Sequence, residues 1–317
     1  MSDTARERVP IDAQSIDAPL SSAAIFLVVT VADDPAAAAR VCDVLAGLDD
    51  LIKTVGFRDL SGKLSCIAGI GRAFWDRVSK DRRPRELKTF AAISGAVHSA
   101  PSTPGDLLFH IRAERVDLCF EFERLLLNAL GDAVTVVDEV SGFRYFDARD
   151  LLGFVDGTAN PTGQDLPAAA LVGEEDVDFA GGSYVVIQKY LHNLDTWAKV
   201  PTPEQEDIIG RTKIDNVERD DSGPRKSHKT LATIVDDAGN EYDILRDNMP
   251  FGRPGQKEFG TYFIGYSRYL WVMEKMLQRM YVGDPPGAYD RLLDFSTPQT
   301  GATFFALSRP ALQAFAK

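Results

Sequence analysis

The sequence predicts an α+β protein of two similar halves, each an antiparallel sheet with helices on one face. A strand candidate that leads into an amphipathic helix occurs twice at similar spacing: residues 105–109 with 115–130, and residues 260–264 with 269–281. Apolar segments at 24–31 and 184–191 match each other as the opening strands of the two halves. A repeated pattern of this kind predicts two equivalent units, with a cavity at their junction where a ligand can bind.

Composition excludes several classes of protein. The chain has 317 residues, 44% of them hydrophobic and 26% charged, as in ordinary globular proteins. A net charge of −12 argues against nucleic acid or an anionic membrane as a partner. Cys42, Cys66 and Cys119 are isolated from one another, which argues against a disulfide framework or a zinc site. With no signal peptide or apolar span in the sequence, we expect a cytoplasmic protein.

The first half contains an alternation of strands and helices. We expect an N-terminal arm at 1–20, the first half at 21–150 and the second half at 151–317. The predicted strands are 23–31, 63–70, 106–113 and 134–140, and the predicted helices are 36–46, 72–78 and 115–130. The first of these helices has a clear start, because Asp34 can cap it and Pro35 suits its first turn.

The second half repeats this alternation after a polar, acidic loop at 161–179. The strand candidates are 182–191, 231–235 and 260–267, and the helix candidates begin at 196, 204 and 269. Between them, residues 212–226 are rich in charged and turn-forming residues, which predicts a surface excursion.

The two halves meet at a loop with one carboxylate, Asp156. Gly153 and Gly157 lie on either side of it, and Asn160-Pro161 closes the segment. Glycine allows positive φ or a close approach of the backbone to a ligand, and proline fixes the exit of the chain. Alone, such a segment is more often a turn whose Asp caps a backbone N–H.

Two further segments carry side chains suited to chemistry. His228 follows the polar excursion, and on its own it would be interpreted as a solvated histidine. Arg246 and Asn248 alternate at a strand end that runs into a Pro-Gly turn, so both side chains lie on the same face. Alone, this pattern indicates the polar end of a hairpin.

Taken together, these segments resemble the dye-decolourising peroxidases, and most closely the compact bacterial B-type (P-class) group. The matching segments, in order, are 153–161, 209–213, His228, 245–250 and 260–266. The chain departs from the family pattern at Ala159, where members often carry an acidic residue. The resemblance is strongest over about 140–310 and weaker over 20–140.

The resemblance implies two ferredoxin-like halves in a dimeric α+β barrel-like arrangement, with one haem b per chain at the junction, in the second half. It implies reduction of hydrogen peroxide and single-electron oxidation of dyes and phenolics through a ferryl haem intermediate. His228 matches the axial ligand of the haem iron. On the other face of the haem, Asp156 matches the acid/base, Arg246 the stabilising charge, and Asn248 a hydrogen-bonding partner of peroxide.

Other residues match the cofactor-binding positions of the family. Arg211 resembles the partner of a haem propionate, and Phe263 would line the porphyrin. At Gly157 and Thr158 the backbone would lie close to the haem edge. Asp290 and Asp294 are candidates for the carboxylate that orients the axial histidine; of these, we favour Asp294.

Several alternatives stay open from the sequence. A haem protein of the same fold could release haem iron, decompose chlorite or carry haem. Surface aromatic residues could relay electrons, although ordinary packing is favoured for the candidates Trp197, Trp271, Tyr190 and Tyr266. Mn(II) could bind Glu174, Glu175 and Asp176, although a solvated face is favoured. We expect a homo-oligomer. The C-terminus at 308–317 lacks the flexible extension of encapsulated members, so it does not support a role as encapsulin cargo.

Overall fold

The computed structural model describes residues 13–79, 82–221 and 223–315. Its strands are β1 (Ala23–Val31), β2 (Ser65–Gly71), β3 (Ile93–Ser94), β4 (Ser99–Ala100), β5 (Leu107–Ala113), β6 (Val134–Phe143), β7 (Ser183–His192), β8 (Ile234–Val235), β9 (Glu241–Tyr242), β10 (Leu245–Arg246), β11 (Met249–Arg253), β12 (Glu258–Ser267), β13 (Ser296–Pro298) and β14 (Ala302–Ala306). Its α-helices are α1 (Pro35–Ala46), α2 (Leu48–Gly56), α3 (Arg72–Val78), α4 (Val116–Leu130), α5 (Asp165–Ala170), α6 (Leu194–Trp197), α7 (Thr202–Ile209), α8 (His228–Ala232), α9 (Leu270–Tyr281) and α10 (Arg309–Gln313).

Strands from both halves form one continuous antiparallel sheet. Its order is β10-β12-β7-β14-β2-β5-β1-β6, and β11 and β13 pair with β12 and β7. The halves join side by side through β14, which pairs with β7 on one side and with β2 on the other. The last strand of the chain therefore connects the predicted halves.

The sheet curls without closing into a hydrogen-bonded ring in the described residues. A Cβ added to Gly142 on β6 would lie only 2.6 Å from Met249 Cβ on β11, so the two ends of the sheet meet through close packing. The barrel-like arrangement is thus open. One face of the sheet carries an apolar core with Phe26, Ile264 and Phe304, and the other face is covered by the long helices α1, α4 and α9.

One local expectation was wrong, one short helix was missed, and part of the N-terminal arm is docked. Residues 231–235 do not form one strand, because Ser227 caps α8 and the extended segment is limited to β8. The short helix α2 follows α1 directly and was not predicted. The N-terminal arm lies partly outside the described residues, but its described part is docked: Gln14 is buried and its side chain binds the backbone of Ala68 and Leu307.

None of the helices in the described ranges combines the length and apolarity needed to span a bilayer.

Candidate active site

The central loop presents Asp156 through local hydrogen bonds. Phe154 N–H donates to Asp150 Oδ1 at 2.9 Å, and Asp150 N–H donates to the Phe154 carbonyl at 2.8 Å. Gly153 and Gly157 both have positive φ, 95° and 73°, which explains the glycines on the two sides of the carboxylate. Asp156 Oδ1 accepts from Gly157 N–H at 2.7 Å, and this bond orients the side chain.

Asp150 is a second carboxylate of this loop that also lines the cleft. Burial raises its pKa to about 7, against the lowering effect of N–H donors such as that of Phe154, and nearby Asp156 adds to the rise. Sequence reasoning missed Asp150, because its spacing from Asp156 carries no chemical signal.

Arg246 and Asn248 both line the same cleft. Asn248 Oδ1 accepts from Ile264 N–H at 3.2 Å, and its Nδ2 lies 3.4 Å from Asp156 Oδ1. Arg246 Nε is buried without a hydrogen-bond partner in the described part of the chain. Burial lowers the pKa of Arg246, while the charge of Asp156 opposes that effect. An unpartnered buried donor indicates a site for an acceptor from a ligand.

His228 is the first residue of α8, and Ser227 caps this helix. Its Nδ1 lies 2.6 Å from Oδ2 of Asp290, a carboxylate with no solvent-exposed area. Burial alone would lower the pKa of His228, but the charge and hydrogen bond of Asp290 outweigh it, and the pKa is raised. With Nδ1 engaged, Nε2 is the ring nitrogen left for a ligand in the cleft that His228 lines.

The expectation that Asp294 holds His228 was wrong. Asp290 accepts from Leu292 N–H at 2.9 Å and so caps the short 3₁₀ helix Arg291–Asp294. Asp294 lies at the other end of that helix, where it binds His98 Nε2 at 2.8 Å and Tyr289 Oη at 3.0 Å. The two carboxylates therefore serve different neighbours.

A second histidine of the cleft, His192, is fully engaged. Its Nδ1 lies 2.8 Å from Ser296 Oγ, and its Nε2 lies 2.8 Å from Thr261 Oγ1. Burial lowers its pKa to about 4, so it is neutral near pH 7. His228 is therefore the cleft histidine with a ring nitrogen that can bind a metal.

The remaining lining fits a large flat cofactor. The cleft is open to solvent, and about 1510 Å³ within it, its open mouth included, is not filled by atoms. Apolar side chains dominate one region: Ile244, Phe263, Val272, Met276, Leu277 and Met280. An apolar cleft with one open imidazole and a free guanidinium donor matches the needs of a haem.

The other predicted cofactor-binding residues lie at or near the cleft. Arg211 lines it, donates to the Asn216 carbonyl at 3.1 Å and pairs with Glu218. Gly157 and Thr158 line it too, and Thr158 Oγ1 accepts from Asn216 Nδ2 at 2.8 Å.

The aromatic relay candidates are dispersed. Trp197 is buried and donates to the Leu152 carbonyl at 2.9 Å. Tyr266 is buried and lies 2.7 Å from His110 Nδ1. Tyr190 lines the cleft, and Trp271 is half-buried and packs against Tyr242.

The acidic segment is engaged in structural contacts. Glu175 pairs with Arg268, and Asp176 accepts from Arg85 N–H at 2.8 Å. Within the described ranges, no group of three or more His, Cys, Asp or Glu side chains is arranged to hold a metal ion.

The fold and this cleft define a peroxidase, and comparison assigns its family. The chain belongs to the Dyp-type peroxidase family: the C-terminal family model matches residues 147–311, and the N-terminal model matches residues 13–144. The dye-decolorizing peroxidase of Mycolicibacterium paratuberculosis is 53% identical over 298 residues, which is 94% of this chain and 84% of the relative.

Solved structures agree. DyPB from Rhodococcus jostii RHA1 is 57% identical with a TM-score of 0.95, over 98% of this chain and 100% of that one, and a variant of it was solved in complex with heme. The encapsulated DyP-type peroxidase from Mycobacterium smegmatis is 51% identical with a TM-score of 0.92, over 95% and 97% of the two chains. The alternative of haem iron release is not favoured, because a deferrochelatase of Escherichia coli is only 28% identical, over 71% of this chain.

Proposed function

We propose that the protein is a haem peroxidase that reduces hydrogen peroxide and oxidises organic donors, dyes and phenolics, in single-electron steps. The observation that supports this most is the meeting of four groups in one cleft. They are the open imidazole of His228, the carboxylate of Asp156, the guanidinium of Arg246 and the amide of Asn248. The four groups come from separate segments of the second half, which the fold brings together in one site.

We propose that the cleft binds one haem b per chain. His228 would hold the iron through Nε2, and Asp290 would keep the imidazole oriented and basic. Arg211 would pair with a propionate, sharing its guanidinium with Glu218, while Phe263 and the backbone at Gly157 and Thr158 would contact the porphyrin. The haem supplies the redox chemistry, accepting oxidising equivalents from peroxide and passing them to donors singly.

The protein's own part is to move one proton and stabilise one charge. Asp156 would take a proton from one peroxide oxygen and return it to the other, so that water can leave. Arg246 would stabilise the negative charge that develops on the departing oxygen, because its unpartnered Nε is already desolvated. Asn248, anchored by Ile264 N–H, would donate a hydrogen bond to peroxide.

An absorption spectrum tests haem binding. The purified protein should show a strong Soret band, and His228→Ala should lose it or weaken it severely. His192→Gln is the matched control, since the hydrogen bonds of His192 leave it no free ring nitrogen, and it should keep the band. A colourless wild-type protein after haem supplementation would refute the proposal.

Stopped-flow mixing with hydrogen peroxide tests the distal groups. Asp156→Ala and Arg246→Ala should each slow the first change of the Soret band by roughly 10²-fold or more, the usual size of a lost acid/base or charge-stabilising group. If Arg246→Ala is silent and Asp156→Ala is not, the charge-stabilising role is wrong while the acid/base role stands. The reverse result would assign the essential step to Arg246.

We propose that the protein acts in the cytoplasm as a homo-oligomer. Cys42, Cys66 and Cys119 are free, buried thiols, which suits a reducing compartment. The exposed apolar side chains Phe57, Leu60, Val116 and Phe120 are candidates for burial between subunits. Association with an encapsulin shell has the encapsulated Mycobacterium smegmatis relative as its support, and co-purification with such a shell tests it.

A further inference from the structure

Asn160, four residues after Asp156, binds the backbone of Arg246 with both ends of its side-chain amide. Its Nδ2 donates to the Arg246 carbonyl at 2.6 Å, and its Oδ1 accepts from Arg246 N–H at 3.0 Å. The pairing sets the orientation of the amide, because a backbone N–H can only donate and a carbonyl can only accept. Asn160 is half-buried, so these two bonds are partly shielded from water.

The position of Arg246 explains why a side chain makes these bonds. Arg246 belongs to β10, a two-residue strand at the end of the sheet that pairs only with β12 along the path of the sheet. The N–H and C=O of one strand residue point to the same side. On the side away from β12, the Asn160 amide therefore takes the place of a neighbouring strand.

The same asparagine closes the turn that directly follows Asp156. Asn160 N–H donates to the Gly157 carbonyl at 3.1 Å, and Pro161 fixes the exit of the turn. The amide packs against Gly157, where an added Cβ would lie 3.3 Å from Asn160 Nδ2 at a φ of 73°. A short rigid path thus runs from Asp156 through Gly157 and Asn160 to the backbone of Arg246.

We propose that Asn160 is a positioning residue that fixes Arg246 relative to Asp156, so that the carboxylate and the guanidinium act on peroxide as one unit. This inference rests on the proposed role of Arg246. Asn160 itself touches no reacting atom and acts through the Arg246 backbone. A merely structural asparagine would stabilise the turn without changing how Arg246 contributes to the reaction.

The first readout is independent of activity. Hydrogen exchange, measured by mass spectrometry on a peptide spanning 243–249 in the haem-loaded protein, reports on the Arg246 amide. Asn160→Ala removes the hydrogen-bond acceptor of the Arg246 amide. The exchange of this amide should then be roughly ten-fold faster, on the order of one lost hydrogen bond. Asn160→Asp keeps the acceptor and should retain most of the protection. Asn216→Gly is the control. It removes only the side-chain contact with Thr158, at a residue whose φ of 54° suits glycine. The exchange of the Arg246 amide should be unchanged in this variant.

The second readout is a double-mutant cycle on the peroxide rate. Asn160→Ala should slow the reaction roughly ten-fold in the wild-type background, on the order of the loss of its bonds to Arg246, and should have no further effect in the Arg246→Ala background. An equal slowing in both backgrounds, or unchanged exchange of the Arg246 amide, would overturn the inference. If Asn160→Ala fails to fold, Asn160→Asp carries the same cycle, because it removes the donor to the Arg246 carbonyl.

Failure of the proposed function has a different signature. A wild-type peroxide rate in Arg246→Ala alone would refute the role of Arg246, and with it the catalytic part of this inference. Hydrogen exchange would still decide whether Asn160 holds the Arg246 backbone.

Discussion

The Nδ1 atom of His228 lies 2.6 Å from Oδ2 of Asp290, a carboxylate that is completely buried. The second oxygen of Asp290 accepts from Leu292 N–H at 2.9 Å, so the carboxylate is held at both ends. A fixed carboxylate makes an imidazole more basic and prevents the ring from turning. The pair therefore defines which ring nitrogen is offered to the cleft.

Asp290→Asn should keep haem bound but raise the reduction potential of the iron, because a neutral amide no longer strengthens the imidazole as a donor. Asp290→Ala, which also loses the orienting bond, should weaken haem binding by roughly ten-fold or more. Spectroelectrochemical titration and haem transfer to an apo-globin measure the two effects.

Asp294→Asn is the matched control for this pair. It changes a carboxylate four residues further along the same 3₁₀ helix, but one that binds His98 and Tyr289. Its reduction potential should equal that of the wild type. A shift in reduction potential as large as that of Asp290→Asn would mean that the total charge of this segment, and not the hydrogen bond between Asp290 and His228, tunes the imidazole.

The sequence was sufficient where function depends on local pattern. Alternation along a strand predicted that Arg246 and Asn248 share a face, and both side chains line the cleft. The glycines beside Asp156 were expected to allow unusual backbone angles, and Gly153 and Gly157 do have positive φ. Both inferences need only the geometry of a few consecutive residues.

The sequence was insufficient where function depends on contacts between distant segments. Asp290 and Asp294 carry the same group in the same segment, and only the packing of the 3₁₀ helix decides which one meets His228. The sequence indicated only that Asn160 suits a turn. Its hydrogen bonds to Arg246 join residues that are 86 positions apart in the chain. The β14 connection between the halves is likewise a long-range pairing without a local signal.

Asp247 links the site to the first half of the chain. Its side chain points away from those of its neighbours Arg246 and Asn248, and it lies 2.6 Å from Arg112 Nη1 of β5, with both side chains 2% exposed. Removing one partner leaves a buried charge unpaired, which costs about 3–5 kcal/mol. Asp247→Asn should therefore lower the free energy of unfolding by about that amount, measured by denaturant titration.

The double variant Arg112→Met/Asp247→Asn should recover most of this loss, because no unpaired charge remains. Glu121→Gln is the control for simple loss of an ion pair, since its partner Arg124 lies on the surface one helical turn away, and it should change stability by less than about 1 kcal/mol. If the double variant is less stable than both single variants, the ion pair stabilises the folded protein by more than the avoidance of an unpaired buried charge.

Glu123 predicts how stability depends on pH. It lies on the buried face of α4, only 7% exposed, and its Oε1 has no hydrogen-bond partner in the described residues. Burial, with a smaller contribution from the charge of Glu139, raises its pKa from 4.5 to about 7. The folded protein therefore holds a proton that the unfolded chain releases between these two values, so the contribution of Glu123 to stability falls as the pH rises through that interval.

Glu123→Gln removes this titration and should stabilise the protein above pH 7 by about 3 kcal/mol, on the order of the shift in pKa. Below about pH 4 the gain should vanish, because the carboxyl is protonated in both states. Denaturant titrations at pH 4, 6 and 8 measure the difference. Glu139→Gln, which removes an exposed charge of the same sign, should give a much smaller gain at pH 8. A gain for Glu123→Gln that is equal at all three pH values would mean that packing of the amide, and not the buried charge, is responsible.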